Sequence, residues 1–140
     1  MSSENKAEKE FQEAVARFRN YQAQAEAIAQ QMAVVQGSVD EHNKAMTTLD
    51  AIKALEKGTE LLVPVGAGCH IHASLGRNDR VITSLGADVS AERTPDDAVA
   101  VLKKRRDELE VLRTKLAEAL TKIEDEMQKL QAKLSSQAPQ

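Results

Sequence analysis

Apolar residues recur at alternating steps of four and three through the first third of the chain: Ala14, Phe18, Tyr21, Ala25, Ile28, Met32, Val35, Val39, then His42, Met46 and Leu49. That spacing draws one narrow seam along a helix, the pattern of a coiled coil rather than of a broad globular face. The seam runs on through Ile52 and Leu55. Lys53 and Lys57 sit in the last turn and Gly58 at the position after it, so a helix is predicted over 5–57. Only one glycine, Gly37, and no proline interrupts it. At about 1.5 Å per residue such a helix would be on the order of 75 Å long, which no small globule accommodates.

The same rhythm returns in Val99, Leu102, Arg106, Leu109, Arg113, Leu116, Leu120, Ile123, Met127, Leu130 and Leu134. Its start is well marked. Thr94 is a capping residue, Pro95 suits the first helical position, and Asp96 and Asp97 complement the positive helix end, giving a second helix over 95–134. Residues 135–140 read as a disordered tail. The arginines at seam positions 106 and 113 are of the kind that set register or face a partner subunit.

Between the helices, over 59–93, the pattern turns β-branched with glycine punctuation. Strand character covers Glu60–Val65, Cys69–Leu75, Arg80–Leu85 and Ala87–Glu92. The breaks lie at Gly66-Ala67-Gly68, Gly76-Arg77-Asn78-Asp79 and Gly86, which gives two hairpins or a four-stranded meander. Pro64 has no backbone donor, so its strand lies at an edge or carries a bulge there. An insert of this size is too small to fold alone. Closing a barrel with inserts from other chains would bury its apolar residues and remove its open edges.

Composition changes the picture mainly by exclusion. With two Phe, one Tyr, no Trp and 29% charged residues, the apolar content suits a thin seam better than a layered core. A net charge of −3 gives no reason to expect nucleic acid, and the run Lys103–Arg106 fans around its helix and is followed by acids. One cysteine, Cys69, excludes an internal disulfide or a cysteine-rich metal cluster. His70 and His72 share a strand face without a carboxylate nearby in sequence, and Gly66-x-Gly68 leads into a strand, not a helix. Neither a metal site, a cofactor site nor a catalytic constellation is predicted, and the chain is expected not to be an enzyme. No segment has the character of a signal peptide or membrane span, so a soluble cytoplasmic protein is expected.

An antiparallel return lets the two seams bury each other. If pairing begins at Lys57 and Pro95, Met32 lies opposite Leu120 and Phe18 opposite Leu134, with Phe11 and Val15 overhanging. The fold class is therefore α+β: a long antiparallel two-helix coiled coil joined by a two-hairpin insert that assembles into an inter-subunit β-barrel.

The run Leu62-Val63-Pro64-Val65-Gly66-Ala67-Gly68, a second hairpin around Val81-Ile82 and Gly86-Ala87, and the helix start Asp96-Asp97-Ala98 together resemble the α subunits of prefoldin, over the whole chain 1–140. The four strands favour the α type over the single-hairpin β type. The resemblance implies an archaeal-type hexamer of two α and four β subunits, acting without ATP to hold unfolded proteins and pass them to a group II chaperonin. Phe11, Val15, Phe18, Tyr21, Met127, Leu130 and Leu134, near the helix ends remote in sequence from the insert, are the expected client-binding residues. For Phe18 and Tyr21, closing the seam is the alternative. Leu61, Val63, Val65, Ile71, Val81 and Val89 are the expected assembly residues. The rival reading is a structural coiled-coil adaptor without client-holding activity.

Overall fold

Two long helices pack together through the predicted seams, with two β-hairpins between them in sequence. The computed structural model describes residues 2–137. In chain order the elements are α1 (Ser2–Lys53), β1 (Glu60–Gly66), β2 (Cys69–Ser74), β3 (Val81–Gly86), β4 (Val89–Arg93) and α2 (Pro95–Gln137). They divide into two compact units, one holding the residues up to Gly37 with those from Leu109 onward, the other Ser38–Glu108.

In the first unit, Ala14, Val35 and Leu130 are buried, and Phe18, Tyr21, Ala25, Ile28, Met32, Leu116, Leu120, Ile123 and Met127 are half-buried. Every seam position is thus shielded by its neighbour helix. Arg113, on the seam of α2, donates through Nη1 to Gln36 Oε1 at 2.7 Å, one residue beyond the seam position Val35. This sets Val35 level with Arg113, and counting outward sets Met32 level with Leu116, Phe18 with Leu130 and Ala14 with Leu134. Met32 accordingly lines a groove with Arg113, Thr114 and Ala117. The register differs by four residues from the one expected at the sequence level. Val15 therefore does not overhang. Helix α2 also runs past the expected end at 134, through Ser135 and Ser136 to Gln137, with Ser136 Oγ donating to the Lys133 carbonyl at 2.8 Å. The expected tail thus loses residues 135–137, and residues 138–140 lie outside the described part.

In the second unit the end of α1 also differs from the expected one. Helix α1 starts at Ser2 rather than residue 5, because Glu4 and the residues around it contain no breaker, and it ends at Lys53 rather than 57. Its last turn tightens, with Ala54 N donating to Ala51 O and Leu55 N to Ile52 O, and just past the helix Asn78 Nδ2 donates to the Leu55 carbonyl at 2.6 Å. Gly58, at φ 90°, then turns the chain into β1. Within this unit Lys53 thus takes the place expected for Lys57, four residues earlier. Lys53 binds Asp96, Arg106 Nη1 donates to Asn43 Oδ1 at 3.0 Å, and Val39, Met46, Pro95 and Ala98 are buried, Ala98 completely. Thr94 caps α2 as its position predicts, its Oγ1 accepting from Asp97 N at 3.2 Å.

The insert forms two separate two-stranded antiparallel sheets, β1–β2 and β3–β4. Both turns are two residues long and left-handed, Ala67-Gly68 (φ 49° and 76°) and Ala87-Asp88 (φ 48° and 62°). Strand β4 therefore begins at Val89 and not at Ala87, since the turn consumes the two residues after Gly86.

Candidate functional site

The insert is the first candidate surface. In β1–β2, Leu61 pairs with Ala73, Leu62 with His72, Val63 with Ile71 and Pro64 with His70. Leu75 N donates to Thr59 O, which marks that pair as hydrogen-bonded. Hydrogen-bonded pairs alternate along an antiparallel ladder, so Glu60, Leu62 and Pro64 turn their backbone groups outward, to the open edge. The missing donor of Pro64 thus costs the hairpin nothing, and the ladder shifts between Pro64 and Gly66, so the edge and the bulge expected at this proline are both present.

Directly paired residues share a face. One face of β1–β2 therefore carries Leu61, Val63, Ile71 and Ala73, and the other Leu62, Pro64, His70 and His72. Val63 is 39% exposed and Leu62 63%, with Val65 and Ile71 also exposed, so large apolar residues are open on both faces, beside His70 and His72 on the second. The second hairpin differs. Val81, Thr83, Ala91 and Arg93 are half-buried on one face, where Val81 and Thr83 line a groove with His42, Ala45, Leu49, Leu102 and Arg105. Arg105 donates to the Ser84 carbonyl at 3.1 Å, and Arg93 Nε to Thr83 Oγ1 at 3.0 Å. Ile82, at the rim of the same groove, is 73% exposed, with Leu85 and Val89 also uncovered near the turn.

Of the expected assembly residues, Leu61 and Val81 are half-buried in this chain, while Val63, Val65, Ile71 and Val89 are open. Leu62, Ile82 and Leu85 were not among those expected, although each is a large exposed apolar residue. Their signal was present: adjacent apolar residues in Leu61-Leu62-Val63 and Val81-Ile82 make both faces of a strand apolar, which a hairpin with one solvated face does not require.

Between the hairpins the loop is fixed. Arg77 grips Asp79 with both Nε and Nη2 at 2.9 Å, which holds the Asp79 carboxyl below the usual carboxylate range. The loop then presents Asn78 to the end of α1.

The distal helix segments form the second candidate surface, in the other unit. Phe11, Val15, Phe18, Tyr21, Met127 and Leu134 are half-buried and Leu130 is buried. Leu130 is sealed by the helix opposite, while the others keep part of their apolar surface in solvent. A feature that sequence reasoning missed lies nearby on the same unit: Val34, 73% exposed, with Ala27, Gln30, Gln31, Leu112 and Leu116 along a groove that no charged side chain lines. Val34 and Leu112 stand one residue off their seams, where a seam count passes over them.

The remaining candidates supply no chemistry. His42 sits half-buried on the seam with Nδ1 2.7 Å from the Ser38 carbonyl one turn back. Of the basic run, Arg105 and Arg106 are occupied within the chain by Ser84 and Asn43. Among the described residues no group of three or more His, Cys, Asp or Glu could hold a metal ion. No helix among them is long and apolar enough to cross a membrane.

Comparison with known proteins places these surfaces in context. Residues 21–140 match the family described as prefoldin subunits. The chain is 31% identical over 134 residues to the prefoldin subunit alpha of Methanococcoides burtonii, covering 96% of this chain and 97% of that protein. It is 37% identical over 128 residues to the prefoldin subunit alpha of Methanosarcina barkeri, covering 89% of each. Among solved structures, filamentous PFD from Methanocaldococcus jannaschii superposes with a TM-score of 0.72 at 26% identity, covering 87% of this chain and 98% of that one. The prefoldin beta subunit from Thermococcus shares the fold, with a TM-score of 0.61 at 24% identity over 94% of this chain and 95% of that one.

Proposed function

The chain belongs to the prefoldin family of non-enzymatic chaperones, as a subunit of the α type, and we propose that it is the two-hairpin subunit of a hexameric holdase. In this reading two copies and four single-hairpin β subunits join through their inserts in the cytoplasm. The distal helix segments capture unfolded proteins without ATP and deliver them to a group II chaperonin. The observation that carries it is the unfinished insert: a hairpin that exposes Leu62, Val63, Val65 and Ile71 and has both edges open, beside a second hairpin that exposes Ile82. A two-stranded hairpin is marginal in water by itself and gains stability when further strands pair with its edges or a helix covers it. Leu62, Val63, Val65, Ile71, Ile82 and Val89 would then be assembly residues, with Leu61 and Val81 completing the packing behind them.

For clients, the half-exposed Phe11, Val15, Phe18, Tyr21, Met127 and Leu134 offer adaptable apolar surface. Leu130 would take part only where the helices part. The test is deletion of residues up to Phe18, followed by assembly with β subunits and an aggregation assay of a denatured client without ATP. The hexamer is expected to form and client protection to fall. If protection survives intact in a normally assembled hexamer, the distal segments are not the client surface. The adaptor alternative draws on the uncharged groove around Val34, which would suit one defined partner. The same assay separates the two, since an adaptor would show no client protection in the undeleted complex.

A further inference from the structure

Two periodic seams do not by themselves choose one alignment. Sliding α1 past α2 by one heptad, about 10 Å, would still stack every seam layer but two. The departures from apolar character on the seam of α2 are Arg106 and Arg113, and the structure uses both in the same way. Arg113 gives Nη1 to Gln36 Oε1 across the helix pair and Nη2 to Glu110 on its own helix. Arg106 gives Nη1 to Asn43 Oδ1 across the pair and Nε and Nη2 to Asp107 on its own helix. Both cross-helix acceptors are side-chain amides one residue beyond a seam position, and both arginines are half-buried. Arg106 and Arg113 lie seven residues apart, as do Gln36 and Asn43, so each clasp gives the same residue offset within its own unit.

We infer that Arg106 and Arg113 are register-setting residues, whose guanidinium forks select the observed alignment of the helices over its heptad-shifted neighbour. Shifted one way, Arg106 meets Gln36 in place of Asn43, but Arg113 faces Ile28 and Ala29, neither of which has a side-chain acceptor, so one of the two cross-helix bonds is lost and Arg113 keeps only Glu110 on its own helix. Shifted the other way, Ala98, fully buried here, would face residues beyond the end of α1 at Lys53, so the helix junction excludes that direction without help. The clasps and the junction thus block opposite slips. The alignment matters because it decides which side chains meet in the distal segments, Phe18 with Leu130 and Ala14 with Leu134, and therefore which apolar surface stays open.

Disulfide trapping in the full chain reads the register directly. In a C69S background the pair I28C/L120C is level in the observed alignment, whereas A25C/L116C becomes level only after the slip the clasps oppose. In the parent only the first pair is expected to close within one chain. In R106L/R113L, and independently in Q36A/N43A, which leaves every seam residue in place, the second pair is expected to close as well. R106K/R113K, which returns a donor to each position, should suppress the slipped product relative to the leucine chain. The inference is overturned if A25C/L116C stays open in both the leucine and the amide-to-alanine chains while I28C/L120C closes as in the parent.

Discussion

Replacing Gly37 with alanine tests how α1 is held. Gly37 lies inside an unbroken helix, is exposed, has a backbone φ outside the left-handed region, and a Cβ added there meets nothing within 4 Å. The substitution therefore brings neither a clash nor backbone strain. What remains is the intrinsic helix preference for alanine over glycine, about 1 kcal/mol, part of which arises from the greater freedom of glycine in the unfolded chain. For a chain of this length that corresponds to a rise of roughly 3–5 °C in Tm. Thermal unfolding followed by circular dichroism at 222 nm on G37A against the parent provides the number. A Tm that is unchanged or lower would refute the reasoning, because it would mean that α1 needs a glycine at this point for a bend or a close approach. Gain of stability with loss of client protection would place that need in the assembled complex instead.

Three further outcomes follow from the insert and its junction. Val63→Lys puts a charge on the apolar face that Leu61, Ile71 and Ala73 share; it is expected to abolish co-assembly with β subunits in a native-mass or size-exclusion assay while leaving the helical signal intact. Asn78→Ala removes the cap on the Leu55 carbonyl and should cost about 1 kcal/mol in denaturant unfolding, with the first loss of amide protection at the end of α1. Because the Arg77 fork lowers the Asp79 pKa, this pair favours the folded loop above the ordinary aspartate pKa and loses that contribution as pH falls through the lowered value. Nuclear magnetic resonance shifts of the Asn78 side chain should accordingly hold steady from neutral pH down to the ordinary carboxylate range and move only below it.

The seams were fully legible in the sequence, and they held more than was taken from them. Reading the second seam backward gives the same alternation of four and three as the first, and the layers match when Ala14 meets Leu134, which is the alignment the Arg113 clasp shows. Anchoring the pairing at the expected helix end, Lys57, displaced it. That end could not be read locally, because the carbonyl of Leu55 is capped by Asn78, 23 residues later, and only the folded insert brings the two together. The hairpins were legible from glycine and β-branched residues. Their turn at Ala87-Asp88 was not, since left-handed backbone at two non-glycine residues carries little local signal. Exposed apolar residues such as Leu62, Ile82 and Val34 fall outside the expected surface sets for a common reason: a period count ranks residues by the face they are expected to bury, whereas these lie on faces that the single chain leaves open.

That openness is the center of the account, and native mass spectrometry of the chain with and without a single-hairpin prefoldin β subunit addresses it most directly. Mixing the two should yield a complex of two copies of this chain with four β subunits, and the Val63→Lys chain should fail to enter it. A chain that stays apart from the β subunit, or a complex that forms equally well with Val63→Lys, would contradict the assignment of the insert as the assembly joint.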